Sequence, residues 1–298
     1  MQPLPARVDR ALAVLYAPLV VMLAAASVVW AATQRPWLIA AIVIAVVALT
    51  FFAERRIPVI PAWNKGDGVG VDSIHAVVNE SITALGVLTV PTLSAALPGS
   101  DVWPDEAPLL VRVVVAVLVL DAGVTLTHWW SHRSPPLWRF HAVHHGPGRL
   151  YGLNGLMKHP IHLVVETVAG MTPLIVLGVD DTTAAAVAGL VAVQLVLQHA
   201  NVDYRVGAVG RWMAWNAGHR LHHVADPADG NVNFGLFTLV WDRLLGTFRP
   251  PTGTEVALHV GLADATSLPS GYLAQLTMPW RSRSSQTGRS NQPKNRVL

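Results

Sequence analysis

Thirteen histidines and no cysteine stand in this chain of 298 residues. Without Cys there is no disulfide, thiolate zinc site, iron–sulfur cluster or thiol nucleophile within the chain. Nine of the thirteen His gather in four places. His128 and His132 are four apart, so on a helix their rings share one face about a turn apart. His141, His144 and His145 repeat that stagger, and His219, His222 and His223 follow the same His-x-x-His-His pattern. His199 closes an apolar run just ahead of Asn201 and Asp203. A lone His is more often a satisfied helix residue or cap than a ligand, and His75 and His259 are read that way. Two such triplets and a His-x-x-x-His pair are not, because so many cationisable rings near low dielectric would repel or stay unsatisfied without a metal. Imidazole serves zinc, copper, iron and nickel alike, so ligand type leaves the metal open. Number says more. A catalytic zinc takes three protein ligands and a structural one four, whereas eight or nine His call for two ions of higher coordination. Two redox-active ions side by side can reduce dioxygen.

Positioning these rings falls to helices that the composition places in lipid. Charged residues make up 13% of the chain and hydrophobic ones 52%, against about 25% charged in an ordinary soluble domain. Mean hydropathy is +0.42. Apolar runs at 11–33, 37–53, 74–98, 108–130, 161–178 and 182–199 approach or exceed the ~20 residues that a spanning helix needs; the third is the least regular, with Glu80 and Pro91 inside it. The expectation is an all-α integral membrane bundle of four to six spanning helices, with a cytoplasmic helical cap carrying the His clusters. Arg7, Arg10, Arg55, Arg56, Lys65, the segment 133–158 and the chain after 200 fall on one side. The acidic loops with Asp101, Asp105 and Glu106, and with Asp180 and Asp181, fall on the other. The positive-inside rule then puts both termini and all the His clusters on the cytoplasmic side of a multi-pass protein. A signal peptide cut at Ala31-Ala32 is the rival reading of the first run, which is longer than the usual apolar core of about 7–15 residues.

After 200 the chain reads as a membrane-apposed domain to about 280. Trp212, Trp215, Trp241 and Trp280 in it suit an interface, and 281–298 reads as a disordered basic tail. Asp121, Thr125, His128 and His132 form a polar stripe down the fourth run. An Asp inside a membrane span marks a functional site by default, with a helix–helix hydrogen bond as the structural alternative. Because a ligating His usually donates its other N–H to a carboxylate or carbonyl, Asp121, Asn201, Asp203 and Asp242 are candidates for orienting the rings.

Taken in order, the motifs carry a resemblance. They run from Asp121 to His145, with Trp130 and Leu137-Trp138-Arg139-Phe140-His141 inside. His159-Pro160, His199-Ala200-Asn201, His219-Arg220-Leu221-His222-His223, Asn233-Phe234-Gly235 and Trp241-Asp242-Arg243-Leu244-Leu245-Gly246-Thr247 follow. Asp72 and His75 precede them. Over about 70–250 the chain closely resembles the fatty acid hydroxylase / sterol desaturase superfamily of integral membrane non-haem di-iron oxygenases.

The resemblance implies two iron ions (Fe2+/Fe3+), with dioxygen as co-substrate and two electrons, acting on an unactivated C–H bond of a lipid such as a sterol or fatty acyl chain by hydroxylation or desaturation. By position it makes His128, His132, His141, His144, His145, His219, His222 and His223 metal ligands and His199 the ninth. His159 matches the superfamily's His-Pro without having to bind metal. His162 stands where many members have an acidic residue, with Glu166 one turn later. The chain then divides into an N-terminal hairpin and polar loop at 1–70, a di-iron domain at 71–250 and a C-terminal extension at 251–298.

Electrons must come from outside. Cys is absent, and Gly66-Asp67-Gly68-Val69-Gly70 lacks the strand and helix of a dinucleotide fingerprint. The expected partners are therefore an external ferredoxin, cytochrome or reductase, a lipid substrate and membrane lipids, and no nucleic acid. Basic residues in 133–158 and 205–220 suit an acidic redox protein or anionic headgroups. From the residues alone, two other classes stay open: a His-rich membrane zinc hydrolase needing neither dioxygen nor reductant, and a metal-binding transporter with ligands spread along its spans.

Overall fold

A computed structural model of the chain describes residues 6–96, 102–251, 259–263 and 268–281. Asp101 and the basic tail expected beyond Arg281 lie outside the described residues. In chain order the helices are α1 (Ala6–Gln34), α2 (Leu38–Arg56), α3 (Val69–Ala96), α4 (Leu109–Ser131), α5 (Pro135–His145), α6 (Pro160–Leu177), α7 (Asp181–His199), α8 (Asn216–His222), α9 (Pro227–Gly230), α10 (Val240–Leu245) and α11 (Tyr272–Thr277). Four short 3-10 helices and isolated β-bridges accompany them among the described residues. Six of the helices, α1–α4, α6 and α7, are long and apolar enough to cross a membrane. They coincide with the six apolar runs, and the third continues through Glu80 and Pro91 without a break. Pro is tolerated there because neighbouring groups in a bundle re-satisfy the freed carbonyl.

Local chemistry sets the element ends. Pro at the first turn opens α5, α6 and α9, where its missing N–H costs nothing. Gly178 and Gly246, both with positive φ, close α6 and α10.

Buried residues make up 72% of the apolar window of α7, against 17–33% in the other five spans. This helix is therefore the central post, and its Ala184, Ala185, Ala186, Gly189 and Ala192 are small enough to let neighbours close in. Beside it, α4 and α6 cross closely: a methyl group on Gly123 would collide with the backbone of Ala169 and Gly170.

At the start of α7, Asp180 ties three elements together. Its carboxylate accepts from the Thr183 N–H at 3.0 Å and from the Thr183 hydroxyl, from Trp103 Nε1 at 3.2 Å and from Arg112 at 2.6 Å. Burial pushes this carboxyl up, but Thr183, Trp103 and Arg112 outweigh it and hold it below the usual carboxylate range. A depressed carboxyl stabilises the fold above the unfolded value of about 3.9 and loses that contribution as pH falls through the folded one. Asp180→Ala is accordingly expected to cost about 1–2 kcal/mol, seen as a lower melting temperature in detergent at pH 7. The gap to the parent should narrow as pH falls below about 4.

The remaining short elements gather at the opposite end of α7. There Trp212 and Trp280 are largely exposed, as suits an interface, but Trp215 is buried against Tyr204. Trp241 is half-buried.

Candidate metal centre

Four helix ends deliver the nine rings. His128 and His132 come from the last turn and C-cap of α4, His199 is the last residue of α7, and α5 and α8 each carry a triplet. The rings sort into two groups. His128, His132, His141, His145 and His222 form one, and His144, His199, His219 and His223 the other; within each, one nitrogen per ring lies within 4.8 Å of all the rest.

The sorting follows from helical geometry. Residues four apart share a face, so α5 gives His141 and His145 to the first group and turns His144 to the second. In α8, His219 and His223 go to the second and His222 to the first. The same motif is thus used twice in opposite senses. The two groups adjoin where His145 stacks on His223 with ring centroids 4.3 Å apart.

Five of the nine rings are held from behind. Nδ1 of His128, His144, His199 and His222 donates to the carbonyl of Phe234, Met157, Leu195 and Val232 respectively, at 2.8–3.0 Å. His132 Nδ1 donates to Asn231 Oδ1 at 2.9 Å. A neutral imidazole whose Nδ1 carries the proton has a bare lone pair on Nε2. Yet the Nε2 atoms of His144 and His199 face each other at 3.1 Å, and those of His128 and His132 are buried with no hydrogen-bond partner. Protonation does not resolve this. Burial first, and neighbouring His second, push His141, His145, His219 and His223 well below the ordinary imidazole range, and burial pushes His132 down to about 3. Two lone pairs converging at that distance need a cation between them. Nitrogens about 2.1 Å from one ion and at right angles would be about 3.0 Å apart, close to the 3.0–3.1 Å seen between Nε2 atoms within both groups. The donor set fits metal ions in two adjoining sites.

Beside the first group is a smaller cluster of His141, His162 and Glu166. His162 Nε2 bonds Ser131 Oγ at 3.0 Å, while its Nδ1 lies 3.7 Å from Glu166. The Glu166 carboxylate is engaged by Lys158. The acidic group thus stands near that face but is neutralised by an ammonium.

His159 lies outside both groups. Its Nδ1 caps α6 by accepting from Ile161 N–H, its Nε2 donates to Leu276 O, and its ring packs on Phe140 and Trp280. His75 bonds Lys158 O and Gln275 Oε1. His259 is exposed.

Direct support of the rings by Asp121, Asn201, Asp203 and Asp242 is not what is found; carbonyls and Asn231 take those N–H groups. Asp121 accepts from the N–H groups of Leu236, Phe237 and Thr238 and from the Thr238 hydroxyl. Asp242 accepts from the N–H groups of Phe234 and Gly235. Both carboxylates therefore hold the turn that presents the Phe234 carbonyl to His128, and act at one remove. Asn201 ties the end of α7 to Ile60. Asp203 pairs with Arg205 at the surface.

Glu54, directly after the apolar run 37–53, belongs to none of the motifs in the sequence. It is buried and accepts from the N–H groups of Gly152 and Asn201, fixing the 152–156 turn against α7. Its one sequence signal is a charge inside the last turn of an apolar helix. Gly155 in that turn permits a close approach, since a methyl group there would meet the Leu195 carbonyl and His199 Nδ1.

Six helices long and apolar enough to cross a membrane close on nine imidazoles, eight of them buried and His132 partly so, in two adjoining groups able to hold metal ions. Residues 113–247 match the family model for fatty acid hydroxylase, the same stretch that carries the His motifs. It is similar to the ornithine lipid hydroxylase OlsE of Rhizobium tropici, 29% identical over 265 residues that cover 85% of this chain and 78% of that protein. Similarity to sphinganine C4-monooxygenase 1 of Arabidopsis thaliana is 26% identity over 198 residues, 58% of this chain and 72% of that one. Cholesterol 25-hydroxylase of Rattus norvegicus is 29% identical over 157 residues, 49% of this chain and 51% of that one. No solved structure matches the chain. These relatives are hydroxylases and monooxygenases, and the chain is an oxidoreductase similar to them.

Proposed function

We propose that this chain oxidises an unactivated C–H bond of a membrane lipid, by hydroxylation or desaturation, at two iron ions held by the two His groups. The observation that carries the reading is the convergence of bare Nε2 lone pairs in two adjoining buried groups. His128, His132, His141, His145 and His222 would hold one ion, and His144, His199, His219 and His223 the other. When bound, the iron pair supplies the reduction of dioxygen and the attack on the C–H bond. Everything else is the work of this chain's residues. Carbonyls of Met157, Leu195, Val232 and Phe234 set the tautomer and tilt of four rings. Asp121 and Asp242 hold the Phe234 turn. Apolar spans keep water from the reacting carbon, which protects a strong oxidant from side reactions.

The domain is taken as 71–250, preceded by the 1–70 hairpin and followed by the 251–298 extension. The charge asymmetry of the loops favours His groups and termini in the cytoplasm, where an external electron donor such as a ferredoxin, cytochrome or reductase has access. Gathering of the rings at one end of the bundle supports an enzyme over a carrier.

The test is metal analysis of the purified protein together with mass spectrometry of lipids from host cells with and without the gene. The expected result is two irons per chain and a lipid that has gained one oxygen atom or lost two hydrogens, formed only with dioxygen and a reductant. Bound zinc with a hydrolysis product formed anaerobically would overturn the reading.

A further inference from the structure

An apolar groove of about 760 Å³ runs between α2, α3 and α7. Its size falls within the ~300–1,000 Å³ of small-molecule sites. It exists because α2 and α3 barely touch each other while both lean on α7. Ile44 and Val77 on its rims are exposed, on helices of membrane-spanning character, so the groove opens sideways toward lipid. Leu153 and Leu156 line its inner wall. The next residue, Met157, gives its carbonyl to His144, and Gly155 abuts His199. A chain lying in the groove is therefore one residue layer from the second His group.

A single carboxylate, Glu80, stands among the groove's lining residues. Among the described residues its carboxylate has neither a hydrogen bond nor an ion pair. Lys158, whose field reaches it, is bonded to Glu166. Neighbouring Asn79 is used otherwise, donating to the carbonyls of Leu156 and Lys158, which places Glu80 near the level of the His144 support. An ionisable group facing an apolar membrane cavity without a partner is costly, and such groups mark ligand sites. The missing complement is a donor.

We infer that the α2–α3–α7 groove receives one alkyl chain of the lipid substrate from the bilayer, and that Glu80 selects lipids bearing a hydrogen-bond-donating group, hydroxyl or ammonium, on that chain. The inference rests on the lipid oxygenase reading above and adds the recognition element. It leaves the acyl end to apolar packing and assigns discrimination to one side chain.

The experiment uses the full chain in lipid nanodiscs with photoactivatable C18 probes: an alcohol, a primary amine and the methyl ether of the alcohol. Cross-links are mapped by mass spectrometry. The parent protein should label groove peptides of α2 and α3 with the alcohol or amine about tenfold or more above the ether, the discrimination expected of a hydrogen bond to a charged group. Labelling by alcohol and amine separates a neutral donor from a cationic one. Glu80→Leu, which keeps an apolar helix in lipid, should abolish that preference while leaving ether labelling and metal content in place. Ala84→Trp, at an exposed lining position, should fill the groove and suppress all three probes and the oxidised lipid, again with metal retained. Unchanged preference in Glu80→Leu, or unchanged labelling and product in Ala84→Trp, would overturn the inference and leave the oxygenase reading standing. Groove labelling as expected in a parent protein that holds no iron and makes no oxidised lipid would support the groove and overturn the oxygenase reading.

Discussion

Replacing His222 with alanine is expected to empty the first His group and abolish the lipid product, with activity reduced about 100-fold or more, beyond the 10–100-fold loss usual for a supporting residue. His222 is the ring by which α8 reaches the group supplied by α4 and α5. Its Nε2 lies 3.1 Å from that of His145, and its ring packs on His128 and His132 with centroids 4.4 and 4.7 Å away. Truncation removes a donor and unties α8 from that group, while His219 and His223 remain in the second. Iron per chain should fall from two to one or fewer, measured by elemental analysis. His259→Ala, at an exposed ring, should change neither quantity. Full metal content and product in His222→Ala would refute the ligand assignment.

The second large effect is expected at Asp121, which touches no ring. Its two oxygens accept three backbone N–H groups and a hydroxyl at 2.7–3.1 Å, all in the turn Leu236–Thr238. The side chain is fully buried. Asp121→Ala leaves several buried donors without an acceptor, each worth about 1–3 kcal/mol, for a loss of about 3–5 kcal/mol after partial relaxation. Two residues before this turn is the Phe234 carbonyl that fixes the His128 tautomer, so iron affinity should fall about 10–100-fold as well. Melting temperature and iron titration of the same preparation report the two effects separately. A variant that melts lower but binds iron as the parent does would confine Asp121 to a structural role.

How much of this was legible beforehand differs by element. All six spans could be read, because a run of apolar residues long enough for a bilayer has few other stable uses. Their ends shifted by a few residues, as α3 did in reaching back to Val69. The nine clustered His could also be read, since their stagger is a property of one helix. Ring support could not. The sequence points to Asp121, Asn201, Asp203 and Asp242 for holding the rings, but buried carbonyls at Met157, Leu195, Val232 and Phe234 hold four of them, and every residue type has a carbonyl. Glu54 was missed for a related reason: one glutamate at the end of an apolar helix looks the same whether it meets water or the backbone of Gly152.

By itself the sequence determined the solvent and the donors of this protein: too little charge for water, no thiol, and imidazoles spaced for one helix face. Tertiary structure alone decided which imidazoles meet. A His-x-x-His-His motif specifies two rings together and one apart. Only the packing of α4, α5, α7 and α8 determines that α5 sends its pair to the first group and α8 its pair to the second. Contacts between residues far apart in the chain depend on helix crossings, and the closest of these are set by absent side chains, at Gly123 between α4 and α6 and at Gly155 against His199.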